Sequence, residues 1–413
     1  MAPLPSGSTQ PVSSARLGLF SGTPAFAEPL HVGRPNLPDR ERLHERLDEI
    51  LDRRWLTNNG PLVQAFERRL SLFFGVKHCI AMCNGTIGLE IMIRAAGLKG
   101  EVIVPSFTFV ATAHSLQWQG IQPVFCDVDP DTHSLDPKRV EELITPNTTG
   151  ILAVHTWGRV AEVEALQELA DRHGLVLLFD AAHALGCSSK GRMVGSFGAA
   201  ECFSMHATKV LNCFEGGAVT TDDDELAERI RFMRNFGFAG KDRVEFLGSN
   251  GKMSEISAAM GLTSLDALPE FIAANRRHYE HYQKALSPLQ GLKVYEHERH
   301  EHQNYHYVVV EVDSGEAGLT RDELVRTLEA DNVLARRYFY PGAHRMEPYR
   351  SLQPQAFRVL PETEALSQRV LVLPTGSAMD DEDVAQVCEI LRTALENAAQ
   401  VRTQLIRLEA THD

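Results

Sequence analysis

This sequence has few basic residues, no long apolar run at its amino terminus, and no disulfide or metal-binding pattern. Each of these shortages argues against a class of protein. Its 413 residues include 41 Lys and Arg against 55 Asp and Glu, a formal charge of −14. This shortage of basic residues argues against nonspecific nucleic-acid binding, which depends on a positive surface. It does not argue against a phosphorylated small molecule, because a local basic pocket is enough to bind one.

The amino-terminal segment lacks any apolar stretch long enough for a signal peptide or a membrane span. Residues 1–24 are rich in Pro, Ser and Gly, and Arg16 is their only basic residue. We therefore predict a flexible tail over residues 1–24, no membrane contact and a cytoplasmic location.

Disulfide and metal-binding patterns are also missing. The seven cysteines are an odd number, and most lie in apolar runs such as HCIAMC, which is typical of reduced core cysteines. Cys79 and Cys83 have no second Cys or His pair at metal-ligand spacing. The segment 297–307, HERHEHQNYHY, contains four histidines, but their spacing fits no rigid pair on one helix face. We predict no metal site, and a solvated loop at 297–307.

What is present is an alternation of strands and helices between residues 78 and 222. Near-continuous apolar strands separated by helices predict a mostly parallel sheet covered on both faces. Ligands bind such sheets beyond the carboxyl ends of the strands, so the loops after strands are the expected site of chemistry. The β-rich runs lie at 78–83, 101–105, 123–128, 151–156, 175–180, 201–205 and 217–221.

A smaller α/β region is predicted after this sheet. A long helical stretch covers about 253–290, and a strand is predicted at 305–312. A helix at 320–330 and a last helix after Pro374 follow, with a helix extension or tail over 398–413. The length suits two or three domains, and we predict a large domain over 25–268 and a small carboxy-terminal domain over 269–413.

The turn NGT at 84–86 follows a predicted strand and opens a helix. Gly85 allows close backbone approach, Thr86 adds a hydroxyl, and the helix start presents free N–H groups to an anion. Phosphate binding and simple helix capping both fit this turn. The turn lacks the G-x-G-x-x-G of a nicotinamide dehydrogenase, which makes that class of enzyme a poor match.

Asp180 ends the buried run LVLLFD. A carboxylate there is costly unless something satisfies it, and a protonated pyridine nitrogen would do so. His183, three residues on, fits a contact to the ring hydroxyl or packing on the ring. The alternative is a helix cap at Asp180 and a satisfied core histidine at His183.

Lys209 lies in the largely apolar stretch ECFSMHATKVLNCFEGG at 201–217. Desolvation lowers the pKa of a lysine and makes it a nucleophile, as a Schiff base with an aldehyde cofactor requires. Ser204, five residues earlier, is placed to contact a phosphate. A lone lysine is more often simply solvated.

Two further loops contain candidates. In PSFTFVAT at 105–112, Phe109 is placed to stack on an aromatic cofactor ring or to pack in the core. In GSNGKMSE at 248–255, Asn250 is placed to donate to a phosphate or to make the turn.

The order of these motifs resembles the DegT/DnrJ/EryC1/StrS family of sugar aminotransferases. The resemblance covers about residues 25–395 and includes WLTNNGPLVQAFE, NGKMSEISAAMGLTSLD, and RRYFYPGAHRMEPYR followed by LVLPT. It implies the pyridoxal-phosphate-dependent transferase fold of type I, which is α/β and aspartate-aminotransferase-like. It also implies pyridoxal phosphate as cofactor, a nucleotide-linked keto sugar and L-glutamate as substrates, and a homodimer with shared active sites.

The resemblance also implies roles for individual residues. It assigns Lys209 to the cofactor aldehyde as the catalytic acid and base, and Asp180 to the pyridine nitrogen. Phe109 and His183 would contact the ring, while Asn250 would reach the phosphate of the other subunit. The remaining implied contacts are to the phosphate at Gly85, Thr86 and Ser204, and to the sugar nucleotide at Tyr340 and His344.

The sequence departs from the family pattern in two places and leaves the acceptor open. Asn84 replaces a commoner Ser, and HTWG at 155–158 replaces a pattern ending in Tyr-Gly. Lys209 is kept where dehydratase relatives have His, which favours transamination. RRYFYPGAHRMEPYR looks most like enzymes that aminate dTDP-4-keto-6-deoxyglucose. A 3-keto sugar and a noncatalytic cofactor-binding regulator are the alternatives.

Overall fold

A seven-stranded sheet forms the centre of the larger part of the molecule. The computed structural model describes residues 14–298 and 300–410. The strands of this sheet are β1 (His78–Met82), β2 (Glu101–Pro105), β3 (Gln122–Cys126), β4 (Thr148–Val154), β5 (Val176–Asp180), β6 (Ala200–Ser204) and β7 (Gly217–Thr221).

The sheet has the order β1-β7-β6-β5-β4-β2-β3. Strand β7 is antiparallel to both of its neighbours, and the other pairs are parallel. The predicted mostly parallel sheet is therefore confirmed, and each predicted run forms a strand. The largest shift is at β4, which begins at Thr148 and ends at Val154 instead of covering 151–156.

Helices cover both faces of this sheet, as the continuous apolar strands predict. In β5, Leu177 and Phe179 pack into the hydrophobic cluster on one face. Leu178 between them packs into the cluster on the opposite face, since side chains alternate along a strand. The helices of this part are α1 (Arg40–Arg53), α2 (Pro61–Phe74), α3 (Gly85–Ala95), α4 (Ala111–Gln117), α5 (Pro137–Glu142), α6 (Val163–His173), α7 (Asp224–Arg234) and α8 (Glu255–Leu286).

A second, smaller sheet lies in the carboxy-terminal part. Its strands β8 (Leu292–Val294), β9 (Val308–Val312) and β10 (Val370–Leu373) are antiparallel, in that order. The accompanying helices are α9 (Arg321–Ala330), α10 (Pro361–Arg369), α11 (Asp381–Glu396) and α12 (Ala398–Glu409). Helix α12 occupies the segment for which a helix extension or tail was expected.

Helix α8 connects the two parts. Its first half packs Leu265 and Leu268 into a cluster on the large sheet, and its second half packs Tyr282 and Leu286 into the cluster on the small sheet. The division predicted between 268 and 269 falls inside this helix, at Pro269. The change of partners along α8 supports that division, which stays a prediction.

The described part of the amino-terminal segment differs from the flexible tail that was expected over residues 1–24. Leu17 and Leu19 are buried in the cluster of the small sheet. Asp331 accepts hydrogen bonds from the backbone N–H groups of Gly18 and Ala25. The described part of the predicted tail, 14–24, therefore packs on the carboxy-terminal part, because apolar side chains are interspersed among its Ser and Gly residues. Residues 1–13 lie outside the described residues.

The histidine-containing segment also differs from the expected solvated loop. His300 and His302 are exposed, but His306 is buried and its Nε2 lies 2.8 Å from the carbonyl oxygen of Thr208. His297 packs against the rings of Tyr279 and Tyr305. Across residues 14–298 and 300–410, no group of His, Cys, Asp and Glu side chains is arranged to hold a metal ion.

None of the helices that the structure describes is both long enough and apolar enough to cross a bilayer. The predicted cytoplasmic location stays a prediction.

Candidate active site

Lys209 lies in the loop after β6, at the carboxyl edge of the large sheet. Its Nζ donates a hydrogen bond of 3.1 Å to the hydroxyl oxygen of Tyr307. Burial lowers the pKa of Lys209 to about 8, although the charges of Asp180 and Tyr338 act in the opposite direction. An amine with this pKa is about one-tenth unprotonated at pH 7, far more than an ordinary lysine, so the buried Lys209 is suited to act as a nucleophile.

Asp180 ends β5 and is 6% exposed. It accepts hydrogen bonds from the hydroxyl of Thr112, at 2.8 Å, and from the backbone N–H of Ala182, at 3.1 Å. Burial raises the pKa of Asp180, while these two bonds and the positive charge of Lys209 lower it. No helix follows β5 directly, so Asp180 is not a helix cap. It is a buried carboxylate that still has acceptor capacity for a further donor.

His183 is buried within a group of aromatic rings. The rings of Trp157 and Phe339 lie parallel to it with centres 5.9 and 5.8 Å away, and the Tyr307 ring centre is 4.4 Å away. Burial and the positive charge of Lys209 lower the pKa of His183 well below its usual value. A neutral imidazole is therefore held beside Lys209 and Asp180.

The turn before α3 forms a cradle with β6 and β7. A Cβ atom added to Gly85 would lie 3.1 Å from the Cβ of Ser204, and one added to Gly217 would lie 2.8 Å from the backbone nitrogen of Gly85. Asn84 caps α3 by accepting from the N–H of Ile87. The capping interpretation is thus correct. It leaves the N–H groups of Gly85 and Thr86 without an intrahelical partner, as an anion site requires.

A cavity of about 340 Å³ is lined by Phe109, Tyr340 and Phe339, and Phe339 is the ring that lies parallel to His183. Phe109 is 58% exposed and Tyr340 is 39% exposed. The structure therefore brings Phe109 to the mouth of the site rather than into the core.

His344 does not lie where the sequence led us to expect it. It is only 2% exposed, with Nδ1 2.7 Å from the hydroxyl of Ser106 and Nε2 2.5 Å from a carboxylate oxygen of Glu364. Because both ring nitrogens are engaged, His344 connects the loop after β2 to the segment containing Tyr340. The ring of His344 contacts other parts of the chain, whereas the family resemblance implied a contact to the sugar nucleotide.

Asn250 is exposed in the loop between α7 and α8. The neighbouring Gly251 carbonyl accepts from the N–H of Cys83, which places this loop beside the turn that begins α3. The contact of Asn250 with a second subunit stays a prediction.

Sequence reasoning missed Tyr307, Thr112 and Phe339, which contact the site residues directly. Each is separated from its partner by many positions in sequence, as Tyr307 is from Lys209 and Thr112 from Asp180. Tyr307 lies in the strand predicted at 305–312, and the apolar run after it was the only available signal of its burial.

The low pKa of Lys209 gives a testable pH dependence. Only the neutral amine attacks trinitrobenzenesulfonate, so labelling of Lys209 in the cofactor-free protein should increase with a midpoint near pH 8. Peptide mass mapping across the pH range measures it, with the exposed Lys293 as the reference amine. A midpoint close to 10.4, the ordinary value for lysine, would contradict the buried amine.

Replacing Tyr307 with Phe should move that midpoint further down. The phenolic oxygen accepts a hydrogen bond from the Lys209 amine, which favours the charged form, so its removal favours the neutral form. The same labelling experiment on Tyr307→Phe provides the measurement. Tyr305→Phe, at a neighbouring tyrosine outside the site, is the control and should leave the midpoint unchanged. An unchanged midpoint in Tyr307→Phe as well would show that the hydrogen bond has no effect on the amine.

The chain is similar to known proteins over most of its length. Residues 38–392 match the model of the DegT/DnrJ/EryC1/StrS aminotransferase family. A dTDP-4-amino-4,6-dideoxy-D-glucose transaminase of Shigella dysenteriae is 36% identical over 365 residues, which are 88% of this chain and 99% of that protein. The GDP-perosamine synthase of Caulobacter vibrioides is 34% identical over 371 residues, 89% of this chain and 98% of that protein.

Among solved structures, that of DesI in the presence of its TDP-sugar product is similar throughout. It is 51% identical in sequence, superposes with a TM-score of 0.91, and the match covers 95% of this chain and 99% of DesI. The predicted fold and the family resemblance are both confirmed.

Proposed function

Because this chain belongs to the DegT/DnrJ/EryC1/StrS aminotransferase family, we propose that it transfers the amino group of L-glutamate to the 4-keto carbon of dTDP-4-keto-6-deoxyglucose. The chain is an aminotransferase, and the proposal concerns its substrates. The match to a dTDP-4-amino-4,6-dideoxy-D-glucose transaminase over nearly its whole length carries the proposal. The similarity to DesI, solved with a TDP-sugar product, supports the same nucleotide.

The site has the groups that pyridoxal phosphate needs. Aminotransferases of this family depend on that cofactor, which acts as an electron sink when it is bound. A buried carboxylate with spare acceptor capacity at Asp180 suits a protonated ring nitrogen, and the exposed ring of Phe109 suits an aromatic partner. Gly85 lies close to Ser204. The backbone N–H groups at the start of α3 are therefore beside the Ser204 hydroxyl, and both can bind a phosphate.

Two residues perform the proton chemistry in this proposal. With the cofactor bound, Lys209 would hold its aldehyde through Nζ until an amino donor displaces it. The freed Nζ would then carry the proton from the α-carbon of the donor to the former aldehyde carbon. Asp180 would stay ionised and keep the ring nitrogen protonated. A pKa of about 8 lets Lys209 act as base and as acid at the same pH.

The remaining site residues have holding roles. Gly85, Thr86 and Ser204 would bind the phosphate. Phe109 would stack on the ring and His183 would lie near its hydroxyl, and these contacts would fix its orientation. Tyr340 would contact the nucleotide sugar directly. For His344 we propose an indirect role, in which it holds the segment of Tyr340 against the loop after β2 through Ser106.

We propose a homodimer with shared active sites, in which Asn250 binds the phosphate held by the partner. The loop between α7 and α8 exposes several large apolar side chains near Asn250, as an interface would require. They are Phe236, Phe238, Val244 and Leu247. Sedimentation analysis tests the dimer directly.

Mixing two inactive variants tests the shared site. A dimer of one Lys209→Ala chain and one Asn250→Ala chain has one site with both residues intact if Asn250 serves the partner. Unfolding and refolding the mixture should therefore restore activity. If Asn250 acts within its own chain, no site is intact and activity stays at the level of the separate variants.

The proposed reaction is tested in two stages. The cofactor-loaded yellow protein should lose its colour when glutamate is added and release 2-oxoglutarate. The colourless protein is then given dTDP-4-keto-6-deoxyglucose, a dTDP-3-keto sugar and a GDP-4-keto sugar in turn, and NMR assigns the position of the new amine. We expect amination at C4 of the dTDP sugar. A protein that no amino donor bleaches would be a regulatory binder, and a C3 product would identify a 3-keto sugar aminotransferase.

A further inference from the structure

The buried side chain of Trp157 connects a histidine of the site to a histidine outside it. Its indole Nε1–H donates a hydrogen bond of 3.0 Å to Nδ1 of His133, and its backbone N–H donates to Nδ1 of His183 at 3.4 Å. The indole ring also lies parallel to the ring of His183. Trp157 is the residue at which HTWG departs from the family pattern ending in Tyr-Gly. One side chain that is particular to this sequence therefore contacts both histidines.

These two donors determine where each histidine carries its proton. An indole N–H and a backbone N–H can only donate, so Nδ1 of both rings is the acceptor and carries no proton. Burial and the positive charge of Lys209 lower the pKa of His183 well below its usual value. His183 is therefore neutral, with its single proton on Nε2. In this tautomer Nε2–H is the one donor that the ring can offer to a ligand.

His133 is held in turn by the carboxy-terminal part of the chain. It is fully buried, and its Nε2 lies 3.3 Å from a carboxylate oxygen of Glu311 in β9, without a well-aligned hydrogen bond. Although burial raises it, the contacts with His133 and Arg369 lower the pKa of Glu311 overall, so this carboxylate is ionised. A negative charge beside Nε2 favours a proton there, which leaves Nδ1 of His133 free to accept from Trp157.

Both partners of the indole hydrogen bond adopt backbone conformations that bulky residues avoid. The φ angle is 62° at Trp157 and 58° at His133, in the left-handed region. Such conformations cost free energy and persist only where surrounding contacts hold them. The ring of Phe107 packs edge-on against both side chains, with centres 6.0 and 5.9 Å away. The two loops are thus held in a fixed arrangement, beyond what apolar packing alone requires.

We propose that Trp157 and His133 are positioning residues, which hold His183 in one ring orientation and one tautomer so that its Nε2–H donates to the ring hydroxyl of the bound cofactor. The inference rests on the proposed function, in which His183 lies near that hydroxyl. Neither Trp157 nor His133 touches the cofactor, and both act through His183. The alternative is that the pair only stabilises the loops after β3 and β4.

The tautomer of His183 is measurable in the cofactor-free protein. NMR spectra of isotope-labelled histidine are recorded for wild type, Trp157→Phe, His133→Phe and the double variant, and the His183 signals are assigned by their absence from His183→Phe. We expect His183 of wild type to be protonated at Nε2 alone. Each variant should lose this preference and show the average of both neutral tautomers. His278→Phe, at another buried histidine, is the control and should leave the His183 signals unchanged.

The double variant separates positioning from stability. A single replacement leaves one buried polar group without its partner, whereas phenylalanine at both positions removes the donor and the acceptor together. We therefore expect both single variants to unfold at a lower temperature than wild type, and the double variant to recover part of that loss. Its His183 should nevertheless remain without a preferred tautomer.

The affinity for pyridoxamine phosphate, which forms no covalent bond to Lys209, provides a second readout. Trp157→Phe, His133→Phe and the double variant should each bind it about 3- to 10-fold more weakly, the effect of losing one neutral hydrogen bond. In His183→Phe, which has lost that bond already, adding Trp157→Phe should weaken binding no further.

Two outcomes would overturn the inference and leave the proposed function intact. One is a His183 that keeps a single tautomer in all three variants. The other is an affinity for pyridoxamine phosphate that follows stability and recovers in the double variant. A His183→Phe protein that binds pyridoxamine phosphate as tightly as wild type would instead overturn the proposed contact between His183 and the cofactor, whichever tautomer the spectra show.

Discussion

Lys209→Ala should reduce turnover by at least about 10⁴-fold, the upper end of what a positioned acid and base contributes. Two functions are lost together. The side chain that forms the covalent bond to the cofactor is absent, and so is the amine that carries the proton. Steady-state release of 2-oxoglutarate from glutamate and the keto sugar provides the measurement.

Two controls separate this effect from a loss of structure. Lys293→Ala removes an exposed lysine from β8 and should retain full activity. The circular dichroism and thermal unfolding of Lys209→Ala should match those of wild type or show a modest gain in stability, because a buried amine is costly to desolvate. A Lys209→Ala variant that retained the turnover of wild type would overturn the assignment of the catalytic residue.

Asp180→Asn should lower the rate of the glutamate half-reaction by about 10²- to 10³-fold, the range for losing one electrostatic contact at a reacting centre. Asparagine has nearly the same shape and still accepts from the N–H of Ala182, so the turn is kept. It has no charge with which to hold a proton on the ring nitrogen. Stopped-flow absorbance after mixing the yellow protein with glutamate measures the rate.

The pH dependence of Asp180→Asn separates the electrostatic role from a general loss of fold. Solvent protons replace the missing carboxylate as the pH falls, so the deficit relative to wild type should become smaller at lower pH. Asp171→Asn, at an exposed position in α6, is the control and should be unaffected. A deficit that does not vary with pH would indicate a structural role for Asp180 and contradict the contact with the ring nitrogen.

The local sequence pattern was sufficient to predict the strands and loops on which Lys209 and Asp180 lie. The run that ends at Asp180 is apolar at every position before it, which only a strand buried on both faces requires. The end of α6 has an equally local cause, because Gly174, directly after it, adopts the left-handed conformation that glycine tolerates. Gly85 was also identifiable from its neighbours, since a glycine between a strand and a helix indicates that another group approaches the backbone closely.

Other features depended on contacts between distant segments. Leu17 and Leu19 were assigned to a tail because their neighbours are Ser and Gly, and only the cluster on the small sheet buries them. His344 looked like a substrate contact because it lies in RRYFYPGAH, which resembles a stretch near the sugar nucleotide in the family. Its hydrogen-bond partners Ser106 and Glu364 belong to other elements, and these contacts hold the His344 side chain in the interior.

The sequence by itself determined the large sheet and the loops after its strands, which depend on residue type and on spacing within one strand and its loop. It made Lys209 and Asp180 candidates, and the resemblance to the family supplied their roles. Tertiary structure alone decided that Tyr307 binds the Lys209 amine, that Thr112 holds Asp180, and that two arginines face the same cavity as Phe109. Those contacts join residues that are far apart in the chain. Thr112 and Asp180 meet within the large-sheet part, whereas Tyr307 and the two arginines come from the carboxy-terminal part.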